Sequence, residues 1–470
     1  MQNPLEFITF WARLKPNDLA YADDQTEVTY KELNIYIRKI CSYLTKIGVS
    51  HGKLVATNLP PYFGYTFGLA VQSLGATLIT GASPDNLAGK INYDFFISTK
   101  KFDDVPIEKS ILITEQLIKK ILTSEVIVKT PGFRSENEIA ILISTSGTTG
   151  EAKFIALGVE QLRNASTRPG TNDSFGGFEV LNLLPFGSGW STFHALKCLS
   201  LGRPYFGFSY RDKRLLKILT NYPIRTIIGS PVQIESLIEI LENSNVRLPN
   251  VESILVGGSS PTDKLFMKIR SNLNCRIYNT YGSTEAGQIA IGEIDEGGFK
   301  GFWVRPPVSL EIVDSHDMEL PNNKVGEIRY KVPQMPNNYV NDEDATKSAF
   351  RNGYFYPGDL GKINEFGKLI LEGRINEVLN IGGVKINAEN IDRLVEQLPG
   401  VISAATYSFL GNEATEKLGI VVVSKPGLED WEIRSHIQEK VGVMLSECKF
   451  VREIPRNPAG KVNRSTLSSL

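Results

Sequence analysis

The sequence predicts an α/β protein in two unequal parts: a large, layered N-terminal α/β domain over residues 1–372 and a small α+β domain over residues 373–470. Three observations lead to that division. A chain of 470 residues exceeds what one hydrophobic core holds. Helical and strand patterns alternate up to Glu372, the signature of α/β layering. Beyond Gly373 the pattern changes to a compact helix, strand, strand, helix, strand series that can close a core of its own.

The elements follow in order. Thr29-Tyr30-Lys31-Glu32 reads as a capping box, with Thr29 at the N-cap and Glu32 reaching back to it. Leu33, Ile37, Ile40, Leu44 and Ile47 then recur every three or four residues, so one helix face is apolar. Gly48 ends that helix, Lys53–Leu59 is the next strand, and Pro60-Pro61 closes the unit. The alternation recurs in the helix Ser236–Glu242 and the strand Ser253–Val256. A turn-rich stretch follows Tyr356, with Leu369-Ile370-Leu371 as a short strand. The last segment reads helix Asn387–Gln397, strand Ile402–Phe409, strand Leu418–Val423, helix Asp430–Val441, strand Glu447–Val451, then a Pro/Asn/Gly tail. No fixed-period repeat or low-complexity stretch interrupts this order.

Composition narrows the function classes. Hydrophobic content of 41% and charged content of 22% are those of an ordinary globular protein. The 51 Lys and Arg nearly cancel the 52 Asp and Glu, a balance that argues against nucleic acid and anionic membranes as partners. Apolar stretches such as Ile139–Ile143 fall far short of the ~20 residues of a membrane span, and the N-terminus shows no signal-peptide pattern. Cys41, Cys198, Cys275 and Cys448 are widely spaced without a CxxC pair, and the four histidines are as scattered. Neither a metal framework nor a disulfide framework is indicated, and a reducing cytoplasm fits.

Five segments carry chemistry. The strand Ile139–Ile143 runs into Ser144-Thr145-Ser146-Gly147-Thr148-Thr149-Gly150, with Lys153 just beyond. Glycines let backbone N–H groups approach a phosphate, hydroxyls donate further bonds and the lysine adds positive charge. The spacing is not that of a Walker A loop, and the same composition suits a flexible surface loop equally well. In Tyr278-Asn279-Thr280-Tyr281-Gly282-Ser283-Thr284-Glu285 an aromatic can lie against a base, a hydroxyl can reach a phosphate and a carboxylate can hold Mg²⁺. Alone, this stretch is more often a turn beside a strand. Asp359 in Tyr356-Pro357-Gly358-Asp359 can accept ribose hydroxyls or simply cap a turn. Gly373-Arg374-Ile375-Asn376-Glu377 leads to Gly382-Gly383-Val384-Lys385, and the tail Asn457-Pro458-Ala459-Gly460-Lys461 places a lysine on a Gly/Pro loop that could equally be a solvated terminus.

Taken together and in this order, the segments STSGTTG, YGSTE, YPGD, GR and NPAGK resemble the adenylate-forming superfamily of acyl-CoA synthetases, peptide-synthetase adenylation domains and luciferases. The resemblance covers essentially the whole chain and is nearest in pattern to an acyl-CoA synthetase. It implies a mobile C-terminal lid domain, with the active site between the two domains. It implies that Thr145, Ser146, Gly147, Thr148, Thr149, Gly150 and Lys153 handle the β- and γ-phosphates of ATP and that Tyr281 flanks the adenine. By the same correspondence Thr284 meets the α-phosphate, Glu285 holds Mg²⁺, and Asp359 binds the ribose with Arg374 nearby. Lys461 bridges the substrate carboxylate and the α-phosphate, Asn376 is the hinge, and Gly382 and Gly383 face the incoming thiol.

Departures from the family pattern sharpen the substrate expectation. Ala152 and Ala388 stand where proline is common, and Phe154 stands where glycine is common; all three read as drift. Gly187 occupies the position where acyl-CoA synthetases often carry histidine and amino-acid-activating domains an aspartate. Without that counter-ion the expected substrate is a carboxylic acid lacking an α-ammonium group, whether fatty, aryl or another organic acid, bounded by Phe186, Gly187, Trp190, Gly257, Gly258 and Ser259, although Trp190 suits core packing equally well. The expected acceptor is coenzyme A. The alternative is the phosphopantetheine of an acyl or peptidyl carrier protein, because no basic cluster marks a site for the 3′-phosphate of coenzyme A. A non-catalytic nucleotide-binding protein and a luciferase-like oxygenase are the remaining readings, the former disfavoured because Glu285, Asp359 and Lys461 are all present.

Overall fold

A computed structural model describes the chain except residues 1, 82, 146–151, 168–178, 208–213, 245, 260, 334, 382–383, 411–415 and 457–461. Packing groups the chain into two compact units. The first holds Met1–Ile289, Glu293–Gly298 and Val332–Phe350; the second holds Ala290–Gly292, Phe299–Lys331 and Arg351–Leu470.

In the first unit the capping box forms as the sequence implies: Thr29 accepts from the Glu32 amide and Glu32 accepts from the Thr29 amide. The helix it starts, Tyr30–Lys46, buries Leu33, Ile37, Ile40 and Leu44. Pro60-Pro61 does more than end a strand. Pro61 is the first residue of a helix, Pro61–Ser73, where its fixed φ and missing N–H carry no penalty. From Gly64 to Ser73 every residue of that helix is buried, so it lies inside the unit rather than on its surface.

A six-stranded sheet runs Ser110–Leu112, Phe95–Ser98, Leu54–Asn58, Thr77–Thr80, Ile139–Thr145, Lys153–Gly158. Its neighbours are parallel except the last pair, which is antiparallel. A second sheet carries Arg276–Ser283, Ser253–Gly257, Thr226–Gly229, Val180–Asn182, Tyr205–Gly207 and Leu19–Ala22 as parallel neighbours. The helix Gly189–Leu201 contacts Ile139–Thr145 of one sheet and Tyr205–Gly207 of the other, so it lies between them. On the second sheet Leu181, Ile227, Ile254 and Ile277 form one core with Leu215, Ile234, Leu237 and Ile269 from covering helices. Burial of each such side chain contributes about 1.5–3 kcal/mol.

The second unit contains an antiparallel sheet of Ser309–Val313, Gly326–Lys331, Tyr354–Phe355, Asp359–Ile363 and Leu369–Arg374. The hairpin Val378–Ile381/Val384–Asn387 follows, then the helix Ala388–Glu396. A three-stranded sheet of Val401–Leu410, Glu416–Ser424 and Leu445–Phe450 packs with that helix and with Asp430–Val441 around Ile391, Val395, Leu418, Ile420, Val422, Ile433 and Ile437. The sequence-predicted elements after Gly373 all form, with ends that coincide or shift by one or two residues, and the strand predicted at Leu369–Leu371 runs on to Arg374.

Candidate active site

Ligands of parallel α/β sheets bind outside the carboxyl ends of the strands, and the first unit gathers its motif residues there. Thr145 is the last residue of its strand and pairs across the ladder with Lys153, so the two residues form the base of the Ser/Gly-rich loop. Ser146, Gly147, Thr148, Thr149 and Gly150 lie outside the described residues. Tyr278–Ser283 is strand rather than turn, buried from Ile277 to Tyr281, and Thr284 and Glu285 come directly after its end. The parallel neighbours of Tyr278 on one side account for that extension, because Leu255, Val256 and Gly257 supply a ladder that holds the backbone extended.

The segment from Gly187 to Trp190 joins these strand ends. Gly187 has φ +94°, and a Cβ there would stand 2.6 Å from Thr80 Oγ1 and 3.0 Å from the Gly81 amide nitrogen. The missing counter-ion is therefore a packing requirement as well: no side chain fits at 187 beside the Thr77–Thr80 strand end. Two residues on, Gly189 opens the next helix with Ser188 as its N-cap and packs against the Thr284 side chain. The Trp190 ring lies on Gly257, where a Cβ would come within 2.3 Å of Cζ3. The segment 187–190 thus meets Thr80 through Gly187, Thr284 through Gly189 and Gly257 through Trp190. Phe186 lies over Gly64 and edge-on to Tyr205 with ring centroids 6.1 Å apart. Gly258 and Ser259 are exposed, and Gly258 has open space where a side chain would be.

Glu285 is buried at 8% exposure. Its Oε1 accepts a 2.7 Å hydrogen bond from the hydroxyl of Tyr339. The Lys153 ammonium stands 5.1 Å from the centroid of the same tyrosine ring. Tyr339 was not among the residues the motifs point to. Only the weak signal of an Asp342-capped helix after it marks this stretch in the sequence. Among the described residues no group of three or more His, Cys, Asp or Glu could hold a metal by itself. A lone buried carboxylate with one oxygen fixed by a neutral donor instead fits the way Mg²⁺ binds, through one or two carboxylates with water and substrate phosphates.

The same unit contains a buried cysteine–histidine pair, Cys198 Sγ and His194 Nε2 at 3.5 Å. Burial pushes His194 down to about 4 and Cys198 up to about 12. Both are neutral at pH 7, so the pair is core packing, not an activated nucleophile.

In the second unit Asp359, 6% exposed, begins a strand rather than sitting within a turn. Its Cα partner across the ladder is Arg374, whose Nε lies 3.1 Å from Asp359 Oδ1. The approach to Asp359 is braced at Tyr356. That hydroxyl accepts from Arg329 Nη1 and donates to Asp317 Oδ1, each at 3.0 Å, and the Arg351 guanidinium lies 3.6 Å from the ring centroid. Burial raises the Tyr356 hydroxyl above its ordinary value, with Asp317 adding to the effect and Arg329 opposing it. Asn376 lies exposed in the single 3₁₀ turn Ile375–Glu377. Gly382, Gly383 and Lys461 lie outside the described residues. Phe154 fills the core beside Phe96 and Leu142, and Ala388 is fully buried at the start of its helix, so both departures have packing reasons.

Sheet order and strand-end residues define an α/β fold with its motif residues at the carboxyl ends of the strands. The chain belongs to the family of AMP-binding enzymes, whose sequence profile matches residues 97–340. It is 23% identical to a 4-chlorobenzoate–CoA ligase of an Arthrobacter species, over 99% of this chain and 95% of that protein. It is 24% identical to the 2-succinylbenzoate–CoA ligase of Listeria monocytogenes, over 97% of each. The fold superimposes on o-succinylbenzoate CoA synthetase of Bacillus subtilis, solved with its acyl-adenylate intermediate, with a TM-score of 0.84 at 19% identity over 98% of this chain and 97% of that one.

Proposed function

We propose that the protein joins a carboxylic acid lacking an α-ammonium group to AMP from ATP and passes the acyl group to the thiol of coenzyme A. A carboxylate oxygen attacks the α-phosphorus, the bond to pyrophosphate breaks, and the resulting acyl-adenylate reacts with the thiolate to give a thioester and AMP. The observation that carries this reading is the packing of the segment 187–190 at the strand ends, Gly189 on Thr284 and Trp190 on Gly257, with Thr284 next in sequence to the buried carboxylate Glu285. The relatives named for chlorobenzoate and succinylbenzoate support an aryl or similar organic acid.

The roles follow from charge. Two anions must approach one another, so the protein has to offset their repulsion, and no general base is needed for a nucleophile already ionised at pH 7. We assign Thr145, Lys153 and the loop Ser146–Gly150 to the β- and γ-phosphates, Tyr281 to the adenine and Thr284 to the α-phosphate. Glu285 is the residue that would hold Mg²⁺, which when bound neutralises phosphate charge. Asp359 takes the ribose hydroxyls with Arg374 as its partner, and Lys461 bridges carboxylate and α-phosphate. Phe186, Gly187, Trp190, Gly257, Gly258 and Ser259 bound the acid. Residues 373–470 act as a mobile lid pivoting at Asn376, which brings Gly382 and Gly383 toward the thiol after adenylation.

The test is a pyrophosphate-exchange screen over aryl, aliphatic and amino acids with MgATP, followed by thioester formation with coenzyme A or a phosphopantetheinylated carrier protein. Exchange with organic acids, none with α-amino acids, and a thioester on coenzyme A are expected. Failure of every acid to return labelled pyrophosphate into ATP would remove the reading, and a thioester formed on the carrier alone would replace the acceptor.

A further inference from the structure

The first unit carries a residue that no motif singles out yet whose side chain touches both the loop-exit lysine and the buried carboxylate. We propose that Tyr339 is a positioning residue whose hydroxyl fixes the Glu285 carboxylate in the orientation a divalent cation requires. The inference rests on the assignment of Glu285 to the metal.

Four observations support it. The hydroxyl donates to Glu285 Oε1 at 2.7 Å across a sequence separation of 54 residues. Both side chains are buried, Tyr339 at 6% and Glu285 at 8% exposure, so neither can exchange this bond freely for water. The ring is fixed on its other sides, edge-on to Phe350 with centroids 5.4 Å apart and with the Lys153 ammonium 5.1 Å from its centroid. The backbone around it is fastened to the exit of the Ser/Gly-rich loop. The Val340 amide donates to the Phe154 carbonyl at 2.8 Å, Asn341 Nδ2 donates to the Lys90 carbonyl at 2.7 Å, and Lys90 Nζ donates to the Ala152 carbonyl at 3.1 Å.

The short strap 339–341 therefore registers the loop exit and the carboxylate against one another. Hydrogen bonds that orient a metal-holding side chain govern affinity as the ligands themselves do, and their loss typically costs 10–100-fold. A neutral donor is the suitable partner here. A cation in the place of the hydroxyl would cancel the charge the metal needs, whereas a hydroxyl orients the carboxylate and leaves that charge in place.

The decisive variant is Tyr339→Phe, which keeps the ring beneath Lys153 and deletes only the hydroxyl. Mn²⁺ binding to the complex with α,β-methylene-ATP, read by electron paramagnetic resonance, should weaken about 10-fold. Affinity for the same nucleotide without metal should stay within about twofold, and thermal unfolding should show a folded protein. A purely structural tyrosine would lower the unfolding temperature and leave Mn²⁺ affinity unchanged, and that result overturns the inference. Should Tyr339→Phe fail to fold, Thr346→Val removes the hydroxyl that accepts the Tyr339 amide at 3.0 Å, and Mn²⁺ affinity should then fall about threefold; no change overturns the inference equally. If wild-type protein with nucleotide binds no Mn²⁺, or Glu285→Gln binds it as well as wild type, the metal assignment itself falls and takes this inference with it. A normal wild type beside an unaltered Tyr339→Phe removes the inference alone.

Discussion

Glu285 in the first unit and Asp359 in the second are both nearly inaccessible carboxylates, 8% and 6% exposed, yet they are held in opposite ways. Glu285 is oriented by a neutral hydroxyl, that of Tyr339 at 2.7 Å. Asp359 faces a cation, with Arg374 Nε at 3.1 Å across a strand pair. A neutral donor fixes direction and leaves the negative charge for something else to neutralise. A guanidinium neutralises the charge itself and leaves oxygen lone pairs suited to uncharged donors. The first arrangement fits a carboxylate waiting for a metal, the second a carboxylate that accepts from sugar hydroxyls. Burial alone does not distinguish the two proposed roles; the partner does.

The largest expected effect is at Glu285, the carboxylate oriented by a neutral donor. Glu285→Gln keeps an acceptor for the Tyr339 hydroxyl, so the fold should persist while pyrophosphate exchange falls about 10²–10³-fold. Excess Mg²⁺ should recover part of that loss. Asp359→Asn should instead weaken nucleotide binding about 10–100-fold, in line with the 1.5–3 kcal/mol of a hydrogen bond to a charged group. Mg²⁺ should recover none of it. Exchange measured against Mg²⁺ concentration for both variants checks the contrast, and identical Mg²⁺ responses would break it.

A third carboxylate extends the comparison to stability. Burial, with Asp392 one turn away adding to it, pushes Glu396 up to about 7, while the Ala404 amide donates to it at 3.2 Å and opposes the shift. The folded protein therefore favours the protonated acid. The stabilisation is complete below the ordinary glutamate value of 4.5 and is lost as pH rises through about 7. It amounts to on the order of 3 kcal/mol. His194 works with the reverse sign: lowered to about 4 by burial, it contributes stability above its ordinary 6.5 that disappears as pH falls through about 4. Denaturant unfolding of wild type and Glu396→Gln at pH 5 and pH 8 should show the variant without the alkaline loss, whereas a parallel decline in both would refute the assignment to Glu396.

The smallest effect concerns the junction that supports Thr284. Gly187→Ala adds a Cβ at a φ of +94° that meets Thr80 Oγ1 at 2.6 Å, so stability should fall by about 1–3 kcal/mol. Equilibrium unfolding measures it directly. A stable Gly187→Ala protein would show that the close approach there is not a constraint.

Much of this protein was legible in the chain itself. The Thr29 capping box, the buried face of Tyr30–Lys46, the strand before the Ser/Gly-rich loop and the successive elements of the C-terminal region all depend on residues a few positions apart. Local hydrogen bonds and side-chain periodicity suffice to specify them. Motif order placed the chain among the adenylate-forming enzymes, and the family match agrees. Even so, turn chemistry misled at Tyr278–Ser283, where neighbouring strands extend the backbone, and Pro61 begins a helix that the proline pair did not announce.

Tertiary structure alone decided which partners the functional side chains keep. Tyr339 and Glu285 are 54 residues apart, and nothing local to either specifies the other. The pairing of Asp359 with Arg374 depends on a strand register containing a bulge between Leu360 and Gly361, and a one-residue slip would point Arg374 to the opposite face. The exclusion of side chains at Gly187 comes from Thr80, the last residue of a strand more than 100 positions earlier in the chain, and from Gly81 just after it. Periodicity reports which face of an element is buried; what meets that face depends on how the chain crosses itself.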